Sequence, residues 1–260
     1  MSSKHSGFEI FVAEAEALGI ISIPHAGDWI PDRFVTHLSP NQKTRDRDLD
    51  FKVNEILPIP RLQKLGLHVI VAKLHRACID LNRTREQALF AWPKNSFGED
   101  LVISEMPVLE SEAFLKELYD PYFESIQKLC DTRLPIIDLH SMPSRATAYH
   151  LAKNSKQNTD RPDFCISDAD GHSAPIENVR FIHDFLQSRH YDARLNEPYK
   201  GGHITQHFGG LGIPTIQIET NRKLYMDEEK QIVLPKKLNQ LTACFFDLFK
   251  AYFNRNERLK

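Results

Sequence analysis

Two histidines stand where short apolar runs end: His25 in "GIISIPHAGD" and His140 in "LPIIDLHS". Imidazoles at the ends of two strands can give two nitrogen ligands to a zinc ion, with a carboxylate as third ligand and water as fourth. A single histidine there reads more simply as a structural group bonding the backbone. Two of them, each beside a tight turn or a small hydroxyl residue, point to a metal. Two carboxylates compete for the third position. Asp28 lies three residues after His25, a spacing that lets one loop offer two ligands; Asp48 stands in "TRDRDLD" with Asp46 beside it. An Asp-rich run can equally cap a helix, so residue chemistry leaves Asp28 and Asp48 open.

Further polar groups suit an acidic substrate and an acyl transfer. In "HRACIDLNR", Arg83 offers a planar donor fork that matches a carboxylate, and Asn82 can add a bond. Arg76 is placed to stabilise an oxyanion as charge builds on a scissile carbonyl; the plainer alternative is an ion pair between Asp80 and an arginine. Glu219 ends the apolar run "IPTIQIE". A carboxylate near an activated water can take its proton and deliver it to a leaving amine, although a salt bridge to Arg222 would also account for it. "YKGGHITQHFGG" holds Gly201, Gly202, His203 and His207, and its glycines let backbone approach a ligand closely. No phosphate-binding glycine motif follows a strand and no GxSxG elbow is present. Ser141 and Cys165 remain candidate nucleophiles.

These motifs need strands and helices to position them. "GIISIP", "LHVIVAKL", "LPIIDLH" and "IPTIQIE" read as strands, and "SEAFLKELYDPYFESIQKLC" and "IENVRFIHDFLQSRHY" as amphipathic helices. The alternation predicts one α/β domain over residues 1–260, with a mixed, mostly parallel central sheet flanked by helices. Polar motifs follow all four predicted strands, and ligands bind outside the carboxyl ends of such strands. One shared site is therefore expected. In the C-terminal run, Leu238, Leu241, Phe245, Leu248, Phe249 and Tyr252 recur at helical spacing as core packing.

The chain has 260 residues, 41% hydrophobic and 26% charged, with a formal net charge of −2. That balance gives no basic face for nucleic acid or an anionic membrane. No apolar segment approaches the roughly 20 residues that span a bilayer, and acidic residues interrupt the N-terminal apolar stretch, unlike a secretory signal. Cys78, Cys130, Cys165 and Cys244 are widely spaced without a CxxC pair, the pattern of neither a disulfide framework nor a thiolate zinc site. A cytoplasmic protein with a small-molecule partner is expected.

In order along the chain, "SIPHAG", "RDRDLD", "HRACIDLNR", "IIDLHSMPSR", "RPDFCISDADGHSA", "YKGGHITQHFG" and "IQIETNRKLYMDE" resemble the N-formylglutamate amidohydrolases, also called N-formylglutamate deformylases. That family is similar to the zinc carboxypeptidases and aspartoacylases, which implies a zinc-carboxypeptidase-like (phosphorylase/hydrolase-like) α/β fold and one Zn2+ ion. The resemblance implies His25 and His140 as ligands, favours Asp48 over Asp28 as the third, and implies Glu219 as base. It implies Arg76 as oxyanion stabiliser and Asn82 and Arg83 as substrate binders; Gly202, read from its own chemistry, is the further candidate for contact with the substrate. The implied substrate would be a small N-acyl acidic amino acid, N-formyl-L-glutamate above all, whose second carboxylate would meet Arg145, Arg222 or His207. A carboxypeptidase-like hydrolase of a peptide or peptidoglycan stem is the alternative enzyme, and a metal-holding binding protein without turnover the alternative class.

Overall fold

Apolar β-branched runs form the middle of a single sheet, in a computed structural model that describes residues 2–4, 7–130, 134–153, 155, 156 and 158–257. The strands are β1 (Ser2–Lys4), β2 (Phe8–Phe11), β3 (Gly19–Ile23), β4 (Leu67–Ala72), β5 (Ile136–Met142), β6 (Phe164–Ser167), β7 (Ala193–Leu195) and β8 (Thr215–Asn221). Their order across the sheet is β1-β2-β4-β3-β5-β8-β6-β7. The inner strands β4, β3, β5 and β8 run parallel. Antiparallel pairing enters through β1 with β2, β2 with β4, and β6 with β8. Every residue of β3, β4, β5 and β8 is buried, because helices cover both faces; this is why these strands read as nearly continuous apolar runs.

The two faces differ. One packs Ile21, Ile23, Val69, Ile137, Leu139, Ile216 and Ile218 against the helices Ile176–Ser188 and Pro235–Glu257. In the latter, Leu241, Phe245, Leu248, Phe249 and Tyr252 are buried and Leu238 is partly buried, so the expected stripe packs as core. The other face begins apolar, with Ile20, Ile70 and Ile136 under Tyr122, Ile126, Ile204 and Phe208. Towards the carboxyl ends it turns polar, with Ser22, Asp138, His140, Gln217 and Glu219 buried there. The predicted helix over residues 111–130 bends into three pieces: Val108–Phe114, a π turn at Leu115–Tyr119, and Asp120–Leu129. Pro121 explains the interruption, since it lacks the N–H that a regular i→i−4 bond requires. The outer strands β1, β2, β6 and β7, two on each side of the parallel core, carry no run long enough to stand out in the sequence. Among the described residues no helix is long and apolar enough to cross a membrane, and all four cysteines are free.

Candidate active site

Side chains two apart on a strand share a face. In β5 this places Asp138 and His140 together, and in β8 Gln217 and Glu219; the parallel register sets Asp138 opposite Gln217 and His140 opposite Glu219. Ser22 of β3 pairs in register with Asp138. The central strands thus replace an apolar face with a polar one as they approach their carboxyl ends. His25 follows β3 in a turn pressed against the end of β4: a Cβ on Gly27 would lie 2.2 Å from the Lys73 carbonyl carbon, and Trp29 N–H donates to Lys73 O at 2.9 Å. Only glycine fits that approach. The run 47–52 is tied to this turn by Asp50 N–H, which donates to His25 O at 3.2 Å.

His25, Asp50 and His140 are all buried, and one ligand atom of each lies within 4.8 Å of the others. Asp50 Oδ2 is 3.0 Å from His140 Nδ1 and 3.7 Å from His25 Nδ1. The far nitrogen of each ring is held by another buried carboxylate: His25 Nε2 donates to Asp80 Oδ1 at 2.7 Å, and His140 Nε2 to Asp138 Oδ2 at 2.9 Å. Ser22 Oγ donates to the other Asp138 oxygen, and Tyr122 Oη adjoins Ser22 Oγ, each at 3.0 Å. A carboxylate behind a histidine fixes the tautomer and aims the near nitrogen's lone pair at a metal. His25 Nδ1 is buried without a hydrogen-bond partner. That orphaned atom, facing a second imidazole and a carboxylate, fits a divalent cation. Burial would raise the Asp50 carboxyl, but the hydrogen bond with His140 and the His25 imidazole beside it hold it well below the usual range. Burial would lower His140, yet Asp138 and then Asp50 raise it well above the ordinary imidazole value.

His25, Asp50 and His140 line a cavity of about 480 Å³. Glu219 faces it, and burial raises its carboxyl to about 7, with the Asp50 charge adding to the effect. Gln217 Nε2 donates to Glu219 Oε1 at 3.0 Å. Arg76 is held by Asp80 Oδ2 at 2.9 Å and Asp48 O at 3.0 Å, which is the ion pair with Asp80 considered above. Arg83 Nη1 donates to Asn82 O at 3.3 Å, and its guanidinium lies 4.8 Å from the Trp92 ring centre. The Asn82 amide is buried: Oδ1 accepts Ile204 N–H at 2.9 Å and Nδ2 stands 3.1 Å from His140 Nε2. Gly202 backs onto it, for a Cβ there would come within 2.3 Å of Asn82 Nδ2. Asp80 joins the whole arrangement, accepting also Asn82 N–H at 2.9 Å and Trp92 Nε1–H at 2.7 Å.

Several expectations need correction on position. The carboxylate beside the histidine pair is Asp50, not Asp48 or Asp28. Asp28 is exposed beyond the turn. Asp48 lines the cavity, but its carboxylate accepts both the N–H and the hydroxyl of Ser96. Arg145 is 70% exposed, pairs with Asp160 at 3.2 Å and does not line the cavity. His207 is exposed on the helix His203–Gly210, beside Phe123 and His203. Arg222 does line the cavity; its Nη2 is 3.6 Å from Asp50 Oδ1 and its Nε donates to Ser141 Oγ at 3.1 Å, not to Glu219. Cys165 is buried on β6 and does not line the cavity, and burial pushes its thiol up to about 11. Asp138 and Gln217 went unread, although polar residues two apart inside an apolar run are the signal of a strand face turning into a site.

The family N-formylglutamate amidohydrolase matches residues 19–226. An N-formylglutamate deformylase of Pseudomonas putida is 27% identical over 242 residues, covering 86% of this chain and 87% of that one. A second, from Pseudomonas aeruginosa, is 25% identical over 246 residues with the same coverage. The crystal structure of N-formylglutamate amidohydrolase from Ralstonia eutropha JMP134 superposes with a TM-score of 0.83 at 21% identity, covering 98% of this chain and 100% of that one, which shows a shared fold. The matched span runs from the first strand of the parallel core past Glu219 and takes in both histidines, Asp50 and Asp80; the chain belongs to the N-formylglutamate amidohydrolase family, hydrolases acting on a linear amide.

Proposed function

We propose that the protein is a zinc-dependent amidohydrolase that converts N-formyl-L-glutamate to formate and L-glutamate, with His25, Asp50 and His140 as the metal ligands. The observation that carries this reading is the partnerless Nδ1 of His25 beside Asp50 and His140, in one cavity with Glu219, Arg76 and Arg83. A zinc ion held by these three residues would supply Lewis acidity to the formyl carbonyl and to water. Glu219, near neutrality in its proton affinity, takes a proton from the attacking water on the oxygen that Gln217 leaves open. It then returns that proton to the glutamate nitrogen as the C–N bond breaks. Arg76, clamped by Asp80 and the Asp48 carbonyl, presents a fixed positive charge to the developing oxyanion. Arg83 takes one substrate carboxylate, and Asn82 holds Arg83 and the back of His140.

The test is formate release by zinc-loaded protein from N-formyl-L-glutamate, beside N-acetyl-L-aspartate and a short peptide; release only from one of the latter two overturns the substrate assignment. Glu219→Gln is expected to keep its metal and lose about 10²–10⁴-fold in kcat. Full turnover in that variant would remove Glu219 as the base.

A further inference from the structure

Resting on that reading, the cavity must also accommodate a second carboxylate, and Arg145 and His207 stand elsewhere. Its outer wall is aromatic and holds Arg83, and a second cation, the exposed Lys153, stands on the same rings just outside the lining residues. Trp92 and Tyr149 both line the cavity, with ring centres 6.5 Å apart in an edge-on arrangement. Arg83 lies 4.8 Å from the Trp92 ring centre. From the helix Ala148–Lys153, Lys153 Nζ reaches 5.6 Å from the same indole and 4.6 Å from the Tyr149 ring. Among the described residues neither Arg83 nor Lys153 forms a salt bridge, whereas Arg76, Lys94, Arg47 and Arg222 each face a carboxylate. The one carboxylate that reaches Trp92, Asp80 at the indole N–H, is already shared with His25 and Arg76.

Two like charges gathered on one indole repel each other, and cation–π attraction of about 0.5–1 kcal/mol at an exposed ring only partly offsets this. An anion from outside the chain would satisfy both. The indole itself is fixed, because its N–H is anchored on Asp80 behind His25, so the wall keeps a set distance from the metal ligands.

We propose that Trp92, Tyr149, Arg83 and Lys153 form a dicarboxylate-selecting wall, in which Lys153 receives the carboxylate that Arg83 does not. Lys153 is then a specificity residue: it separates acidic N-formyl amino acids from neutral ones of the same length and takes no part in bond breaking.

The experiment compares N-formyl-L-glutamate with N-formyl-L-glutamine, which differ by one charge, using the zinc-loaded full chain. Lys153→Met is expected to raise KM for the glutamate compound roughly tenfold, the worth of one charge-assisted contact. Its kcat should stay near that of the unaltered protein, kinetics on the glutamine compound should be unchanged, and Lys153→Arg should restore the lost affinity. Equal losses on both substrates, or undiminished preference for glutamate in Lys153→Met, overturn the inference alone. If the unaltered protein releases no formate from N-formyl-L-glutamate, the substrate reading falls and this inference falls with it.

Discussion

At the scale of single residues, three carboxylates of one short run, Asp46, Asp48 and Asp50, differ only in where a turn points them. Asp46 bonds His75 at 3.3 Å, Asp48 bonds Ser96, and Asp50 alone enters between the histidines. If His25, Asp50 and His140 hold the metal as proposed, replacing Asp50 by Asn removes the anionic ligand, whereas the same change at Asp48 alters a serine contact. Asp50→Asn is therefore expected to lower zinc stoichiometry far below one per chain after dialysis, with Asp48→Asn and Asp28→Asn retaining full metal by elemental analysis. Full loading in Asp50→Asn would return the third-ligand role to another group. His25, His140 and Glu219 were legible because each closes an apolar run, where a titratable side chain has no packing reason to be. Asp50 had no such mark, since an acid in an acidic run looks like solvated surface.

At the scale of elements, the site is held by contacts between segments far apart in sequence. Gly202 precedes the helix His203–Gly210 and lets its backbone close on Asn82, whose amide in turn accepts Ile204 N–H and backs His140. An added methyl would collide with the amide itself, a clash costing about 1–3 kcal/mol where the surroundings are packed. Gly202→Ala is expected to lower the unfolding midpoint and to weaken turnover together. Gly210→Ala in the same helix, where an added Cβ meets nothing within 4 Å, should leave both intact. Equal behaviour of the two variants would mean that the Asn82 contact is not limiting. The glycine pair was conspicuous in the sequence as a close approach to something; that the partner is Asn82 depends on how the helix docks.

At the scale of the whole molecule, the sheet buries an acid at its polar end and destabilises the fold in doing so. Glu219 has its proton affinity raised from 4.5 to about 7, so between those values the folded chain binds more protons than the unfolded one. Stability from this group is present below about pH 4.5 and is lost as pH rises through 7, by up to about 3 kcal/mol. Metal-free Glu219→Gln, which has no such charge, is expected to be more stable than the unaltered protein at pH 8 and equal to it near pH 4 in denaturant titrations. A difference that does not change with pH would contradict the assignment. The four central strands, the closing helix and the residue types of the site follow from the order of amino acids alone, because burial on both sheet faces demands apolar runs and exposes every departure from them. Which acid meets the histidines, which cations face the cavity, and the linking of His25, Arg76, Asn82 and Trp92 through Asp80 emerge once the chain is folded. Those choices follow from turn direction and docking of loops between strands, which short-range periodicity does not encode.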